Sequence, residues 1–551
     1  MRCPHALAVF GFAVLATLLV FPALSGEALG HPQADTYNHV WGFWQVRDAL
    51  LSGESPLWTD NIGWPQGGAL WFIDLFGALW TLPIQLLAGP VVAYDLAMWA
   101  NLVLAGFAAW LLARRLGSSE AGSAFAGVTY AAVPQLLGQL HNGISETLSV
   151  GWLPLGLWGL VRFWREPGRN NGLIAGGLVA VCGFANFYYG LFLGLIWAAA
   201  GVWTLLPRAR GRLVLRQLGW VVLGGLPLLP LLWVFSGTLS SPEALVSRDP
   251  EFVYASLVGH NMVDLLAFFH PGDFHSPDLF ELFDEHLQVV VYVGWILLVP
   301  ALFGAWRVRR ARWWAVLALV SFVFALGPFL YLGGGYWQLP GGTWVPLPFL
   351  AFFEVIPLFS PISHAYRFAI PMQLALGVCA ALWIRGRWGW LLIPAFLVEV
   401  LLFSPATWPV ATSEVAVPAV YSQISTDGAV LDLPVSLQVL DRSRYNLYQV
   451  SHRRPIPYGL NDPTPQWLDD NPLTRSLIDL ERSGVASLPP TRPTLDLILG
   501  RQRLVDAGFS AIVVHLRAYP PHTRDKVLAE LELICGPGRV VGDQVLFSLG
   551  Q

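Results

Sequence analysis

Residues 6–24 read ALAVFGFAVLATLLVFPAL, and residues 25–40, SGEALGHPQADTYNHV, follow at once. The first stretch carries no charge and is close to the roughly 20 apolar residues that cross a bilayer as a helix. The second turns abruptly to Gly, His, Asp and Asn. This junction recurs along the chain and decides the fold, an alternation of apolar helices with polar, Pro/Gly-rich connections. Residues 6–24 read as a retained helix rather than a cleaved signal peptide, because the run exceeds a usual signal core and only Arg2 stands before it as a basic start.

Composition agrees with a membrane chain. Of 551 residues, 55% are hydrophobic and 12% charged, with a mean hydropathy of +0.54. Water-facing surfaces keep about a quarter of residues charged, so half that fraction means an outer surface facing lipid. The 26 Trp and 32 Phe residues suit membrane interfaces, where aromatic rings collect. A net charge of -4 with no dense basic run excludes nucleic acid as a partner. Cys3, Cys182, Cys379 and Cys535 have neither zinc nor redox spacing. Lys526 is the only lysine, which excludes a phosphate-loop or Schiff-base lysine in the membrane region.

Further apolar runs lie near 92–112, 121–138, 148–164, 172–188, 190–206, 217–236, 289–306, 313–332, 367–384 and 389–405. Arg114/Arg115, Arg162/Arg165/Arg169, Arg208/Arg210/Arg212/Arg216, Arg307/Arg309/Arg310/Arg312 and Arg385/Arg387 fall in alternate connections. Basic residues mark the cytoplasmic side. The expectation is a polytopic α-helical membrane protein of about eleven transmembrane helices, with a cytoplasmic N-terminus. Residues 1–410 form the membrane part, with outer loops 25–90, 237–288 and 333–366. The stretch 70–88, interrupted by Asp74, Pro and Gly, is expected to lie along the membrane surface, since a span there would break the arginine alternation. Tyr37–Leu51 and Leu347–Phe359 read as amphipathic interfacial helices. Residues 411–551 read as a small extracytoplasmic α/β domain. Its strands are expected at Ala429–Leu433 and Ala511–His515, its helix at Arg524–Ile534, and a strand pair around Gly542–Asp543.

Polar side chains gather in three outer clusters. The first is His31 to His39, with Asp35 and Asn38; the second is Gln139 to Glu146, with His141. The third runs from Asp264 to His286, with His270, Asp273, His275, Asp278, Asp284 and Glu285. Ionisable groups near the membrane are costly and mark sites or pathways, although hydration at the interface explains any one of them. The third cluster has the residue types of a divalent-ion site, but its spacing fits no fixed motif. Arg367, at the outer end of a helix in Ser363-His364-Ala365-Tyr366-Arg367-Phe368, is either a snorkelling anchor or a phosphate binder. Glu399, in the last helix, reads as a helix–helix hydrogen-bonding group.

At these clusters the chain resembles bacterial GT-C-type glycosyltransferases, membrane enzymes that use polyprenyl-phosphate sugars outside the cytoplasmic membrane. The resemblance lies in the acidic loop after the first helix (Asp35), Pro56-Leu57-Trp58, Pro65-Gln66-Gly67-Gly68 and Leu111-Leu112-Ala113-Arg114-Arg115-Leu116-Gly117. It continues through Pro134-Gln135 to His141, Trp152 to Leu155, Tyr292-Val293-Gly294, Tyr366-Arg367-Phe368, Asp432-Leu433-Pro434 and His452-Arg453-Arg454-Pro455-Ile456. It covers essentially the whole chain and implies a multi-pass protein of the bacterial inner membrane. The implied reaction is sugar transfer from a polyprenyl-phosphate donor to a glycan, lipid or protein acceptor of the envelope. Asp35 is then the base, with Asn38 or His39 beside it. His141 and Glu146 lie on the acceptor side. Arg367 and His364 hold the donor phosphate, and His270, Glu285 and His286 are the ligand set for magnesium or manganese, if the reaction uses either. Two departures stand out. Asp35 is flanked by Ala34 and Thr36 where active members often pair two acids, and Gln288 stands where similar chains often carry Glu. The rival readings are a non-catalytic envelope-polysaccharide assembly protein and a lipid or sugar transporter. The second predicts mid-bilayer polar helices and related halves, neither of which is visible in the chain.

Overall fold

The computed structural model describes residues 4–550 apart from 71, 72, 206, 207, 240–244, 246–249, 272–288, 407, 462 and 484–493. Every apolar run named above carries helix. Among the described residues, three helical stretches are long and apolar enough to cross a membrane: Pro4–Ser25, Leu82–Leu116 and Ala365–Trp383. The pair Arg216–Gly225 and Leu228–Val234, bent by 50°, makes a fourth if it is taken as one span. Other runs are shorter or divided. Residues 121–138 split into Glu120–Ala131 and Pro134–His141, because Pro134 can open a helix but cannot continue one. The stretch 70–88 is also divided. Leu75–Trp80 is a short helix, and residues from Leu82 onward join the long helix across a kink at Gly89 and Pro90.

Helix ends follow their residues. The helix Leu82–Leu116 stops at Gly117, whose φ of 93° lets its N–H turn back to the Ala113 and Arg114 carbonyls. Ser119 then caps the next helix by accepting from the Gly122 N–H at 3.0 Å. Small residues set the contacts between helices. A methyl on Gly304 would run into the Cys379 carbonyl, and one on Gly122 into the Ala381 carbonyl. Glu399 explains the Tyr292-Val293-Gly294 run. Its carboxylate accepts from the Tyr292 hydroxyl (2.8 Å) and from the backbone N–H groups of Trp295 (2.7 Å) and Ile296 (2.9 Å). It thereby ties the Leu392–Phe403 helix to the N-terminus of Trp295–Arg307, where the helix dipole favours an anion.

Short strands stitch the first connection to distant parts of the chain. β1 (Ala28–Leu29) pairs antiparallel with residues Thr412–Ser413, and β2 (Trp58–Thr59) pairs with β3 (Gly68–Ala69). With Thr412–Ser413 as β4, the remaining strands form one mixed sheet in the order β5 (Ala429–Leu433), β6 (Phe509–His515), β8 (Gln544–Ser548), β7 (Arg539–Val541). β5 and β6 run parallel, and β7 and β8 form an antiparallel hairpin. The strands at 429–433 and 511–515, the helix over Pro521–Cys535 and the terminal strand pair lie where the residue pattern put them.

The helix expected at the membrane interface, Thr36–Ser52, is instead largely buried. It is apolar on more than one face, which makes it an interior helix rather than a surface one. Trp41 and Trp44 enter the same core as Leu431, Tyr445, Tyr458 and Ile512 of the C-terminal part, while Val40 and Phe43 pack into the core formed by the helices before it. The Trp41 indole N–H donates to Gln449 Oε1 at 2.6 Å, and Arg453 pairs with Asp48. Backbone rungs lock the two regions further. The N–H groups of Gly63 and Trp64 donate to the Tyr458 and Ile456 carbonyls, and Ile456 N–H donates to the Asn61 carbonyl at 2.8 Å.

Candidate functional site

Asp35 immediately precedes the Thr36–Ser52 helix and is only 2% exposed. The segment 141–143 lies against it. Asp35 N–H donates to the Asn142 carbonyl (3.1 Å), His31 N–H to the His141 carbonyl (2.6 Å), and the His31 and His141 rings stack at 5.1 Å. Gly143 is needed at this contact, since a Cβ there would collide with Thr36. One carboxylate oxygen, Asp35 Oδ1, accepts from Asn38 Nδ2 at 3.1 Å and from Asn461 Nδ2 at 2.7 Å. Asn38 also donates to Asn461 Oδ1 (2.8 Å) and accepts from Asn446 (2.7 Å).

A second acidic group lies one helical turn along. His39 Nδ1 is 3.5 Å from Glu146 Oε2 and 3.3 Å from Ser145 Oγ, and the Ser145 hydroxyl donates to Asp74 Oδ2 at 2.8 Å. The other oxygen of Asp74 accepts from Gly77 N–H at 2.7 Å. Burial, with the Glu146 carboxylate nearby, pushes Asp74 up to about 6. The charge of Glu146 bears on Asp74, Tyr94, Tyr189 and Arg367 alike, and that of Asp35 also reaches Tyr94.

Arg367 sits in the turn Ala365–Phe368, 7% exposed, with its guanidinium 4.6 Å from the centre of the Tyr188 ring. That burial does not suit one of the two readings of Arg367. A snorkelling anchor would hold its head in water, whereas this one is stacked indoors. His364 joins the same group, its Nδ1 lying 2.7 Å from Ser363 Oγ and 3.4 Å from the Tyr188 hydroxyl. Asp35, Asn38, His39, His141, Glu146, His364 and Arg367 are thus connected through direct contacts and shared neighbours.

The third cluster divides differently. Asp264 caps a turn, accepting from Leu266 N–H (2.8 Å) and Gly334 N–H (2.9 Å), so it organises the 333–335 bend. His270 is exposed. Glu285, His286 and Gln288, with Asp273, His275, Asp278 and Asp284, lie outside the described residues. Among the described residues, no group of three His, Cys, Asp or Glu side chains is placed to hold a metal ion.

Three residues were not legible as site members. Asp74 read as a polar break in an apolar stretch, although a carboxylate within such a stretch is itself a signal. Asn446 and Asn461 lie more than 400 residues from Asp35 and carry no periodic or motif signal.

An apolar helical array, a buried acid at the start of the first connection and a C-terminal sheet closed onto that connection make up a fold found in solved structures of other proteins. Two cryo-EM structures of the arabinofuranosyltransferase AftD from mycobacteria share it. They superpose with TM-scores of 0.56 and 0.54 at 15% and 17% identity, over 100% of this chain. The chain spans 42% of the length of those structures. Two crystal structures of ArnT from Cupriavidus metallidurans, apo and bound to undecaprenyl phosphate, align over 98% of the chain and 97% and 98% of their own. They are 13% identical to it and superpose loosely, with TM-scores of 0.38 and 0.40. No family model and no curated protein matches the chain.

Proposed function

We propose that this protein is a membrane glycosyltransferase that moves a sugar from a polyprenyl-phosphate donor to an envelope acceptor on the extracytoplasmic side. The observation that carries the reading is the buried Asp35 carboxylate, oriented by the Asn38 and Asn461 amides, in a chain with the fold of a known sugar transferase. Arginine alternation supports about eleven crossings with the N-terminus inside.

In this reading the acceptor hydroxyl oxygen bonds to the anomeric carbon as the bond from that carbon to the donor phosphate oxygen breaks. The hydroxyl proton passes to Asp35, a carboxylate being a natural base for this step. The electron pair leaves on the lipid phosphate. The fixed charge of Arg367, with His364 beside it, stabilises that developing anion in a site shielded from water. His39 and Glu146 form a second pair suited to binding the hydroxyls of the incoming acceptor. No ATP is needed, since the lipid phosphate is itself the leaving group.

The test is transfer of label from a panel of radiolabelled polyprenyl-phosphate sugars in membranes holding equal amounts of wild type or Asp35→Asn. Transfer by wild type should fall at least a hundredfold in the variant, the order expected for loss of a general base (about 10²–10⁴). Equal transfer by both would remove Asp35 from the chemistry. No transfer by wild type above empty membranes would favour a non-catalytic assembly role.

A further inference from the structure

We infer that Asn461, contributed by the C-terminal part of the chain, is a positioning residue for Asp35, so that the C-terminal region completes the site. The inference rests on the reading of Asp35 as the base.

The geometry is a closed triangle. Asn461 Nδ2 donates to Asp35 Oδ1 at 2.7 Å, Asn461 Oδ1 accepts from Asn38 Nδ2 at 2.8 Å, and Asn38 Nδ2 also reaches Asp35 Oδ1 at 3.1 Å. Asn446 fixes the far side of Asn38 at 2.7 Å. Asp35, Asn38 and Asn446 are each less than a tenth exposed, so water does not compete freely for these bonds. Both donors fall on Oδ1, and among the described residues Oδ2 accepts no hydrogen bond. One oxygen is therefore clamped while the other keeps its lone pairs for a proton.

The chemistry of the partners suits that task. Amides orient a carboxylate without neutralising it, whereas a guanidinium or ammonium in the same place would hold the anion so strongly that it became a poor base. The amides carry no titratable proton, so the clamp persists across the working pH range.

The backbone is built to deliver this one side chain. Asn461 has φ = 55°, one of two non-glycine residues among those described with positive φ. Asparagine tolerates the left-handed region better than other side chains. The run leading into it is fixed to the first connection by the Ile456 and Tyr458 rungs. The amide thus arrives on a rigid arm whose other end belongs to the same core as β5 and β6.

The variant that isolates the amide is Asn461→Gly, which keeps the left-handed turn and removes only the side chain. Wild type, Asn461→Gly and Asp35→Asn are compared in membranes, with transfer from the radiolabelled polyprenyl-phosphate sugar panel followed between pH 4.5 and 8.5. Asn461→Gly is expected to lower kcat about tenfold with KM for the donor unchanged, the loss of one hydrogen bond to a charged group. The pH profile of kcat should change as well, a response that a loss of folded protein alone would not give. A fall in kcat with no change in the pH profile would mean that Asn461 only supports folding, and the inference would fail. Unchanged kcat and pH profile would refute it as well. If Asp35→Asn abolishes transfer while Asn461→Gly behaves as wild type, only the positioning role is lost. If Asp35→Asn transfers normally, or wild type transfers nothing, the base reading falls and this inference with it.

Discussion

Asp74 is a buried acid whose environment favours its neutral form, and that preference can be read as stability. Its proton affinity rises from an ordinary 3.8 to about 6, a difference worth about 3 kcal/mol at 1.36 kcal/mol per unit. The sign follows from the direction. The folded state holds this proton more tightly than the unfolded chain, so the contribution is fully present below about pH 4 and is lost as pH rises through 6. Above that, the protein carries a buried carboxylate near Glu146. Asp74→Asn removes the ionisation but keeps the shape. Its Oδ1 can still accept from Gly77 N–H and its Nδ2 can donate to Ser145 Oγ, the two contacts Asp74 makes now. The variant should match wild type near pH 4 and become more stable than it by about 2 kcal/mol at pH 8, the share of the 3 kcal/mol that titrates over that range. Denaturant titration of detergent-purified protein at several pH values, followed by helical circular dichroism, measures the gap directly. A gap that stays flat from pH 4 to 8, or a variant less stable than wild type at pH 8, would refute the assignment of a destabilising buried charge.

Two further outcomes bear on the fold. Glu399→Ala strips three donors of their acceptor at the start of the Trp295–Arg307 helix and should cost about 3 kcal/mol. Glu399→Gln should cost less, and a midpoint for the alanine variant within error of wild type would deny Glu399 its capping role. Gly304→Ala forces a methyl against the Cys379 carbonyl and should cost about 1–3 kcal/mol by overpacking; stabilisation instead would show that the two helices are not held at that distance.

Much of this architecture can be read from local pattern. Helical runs are visible because an apolar stretch long enough to span lipid has few other uses. β5 and β6 are visible because Ala429–Leu433 and Ala511–His515 are short apolar runs bounded by turns. The meeting of His31–His39 with Gln139–Glu146 was legible, since polar groups excluded from lipid must share the remaining space, whereas most of the third cluster, Asp264–His286, lies outside the described residues and Ser363–Phe368 was not grouped with them. The fate of Thr36–Ser52 was not. Its tryptophans suit an interface and an interior equally, and only the presence of β5, β6 and the Ser443–His452 helix decides between them. Asp74 was passed over because a carboxylate in a Gly-containing stretch resembles a surface break until Ser145 is seen beside it. Asn461 was beyond reach altogether, because its meaning depends on Asp35 and nothing local to residue 461 records that pairing.

The bond from Asn461 to Asp35 joins residues 426 positions apart. At roughly 5–20 residues per second of synthesis, the first half of this contact waits about 20 to 85 s for the second to be made. During that interval the early helices can already be in the bilayer, with Asp35 available but unclamped. Order of synthesis therefore acts as a safeguard. In the reading proposed above, a chain that stalls before residue 461 leaves Asp35 in place without its clamp.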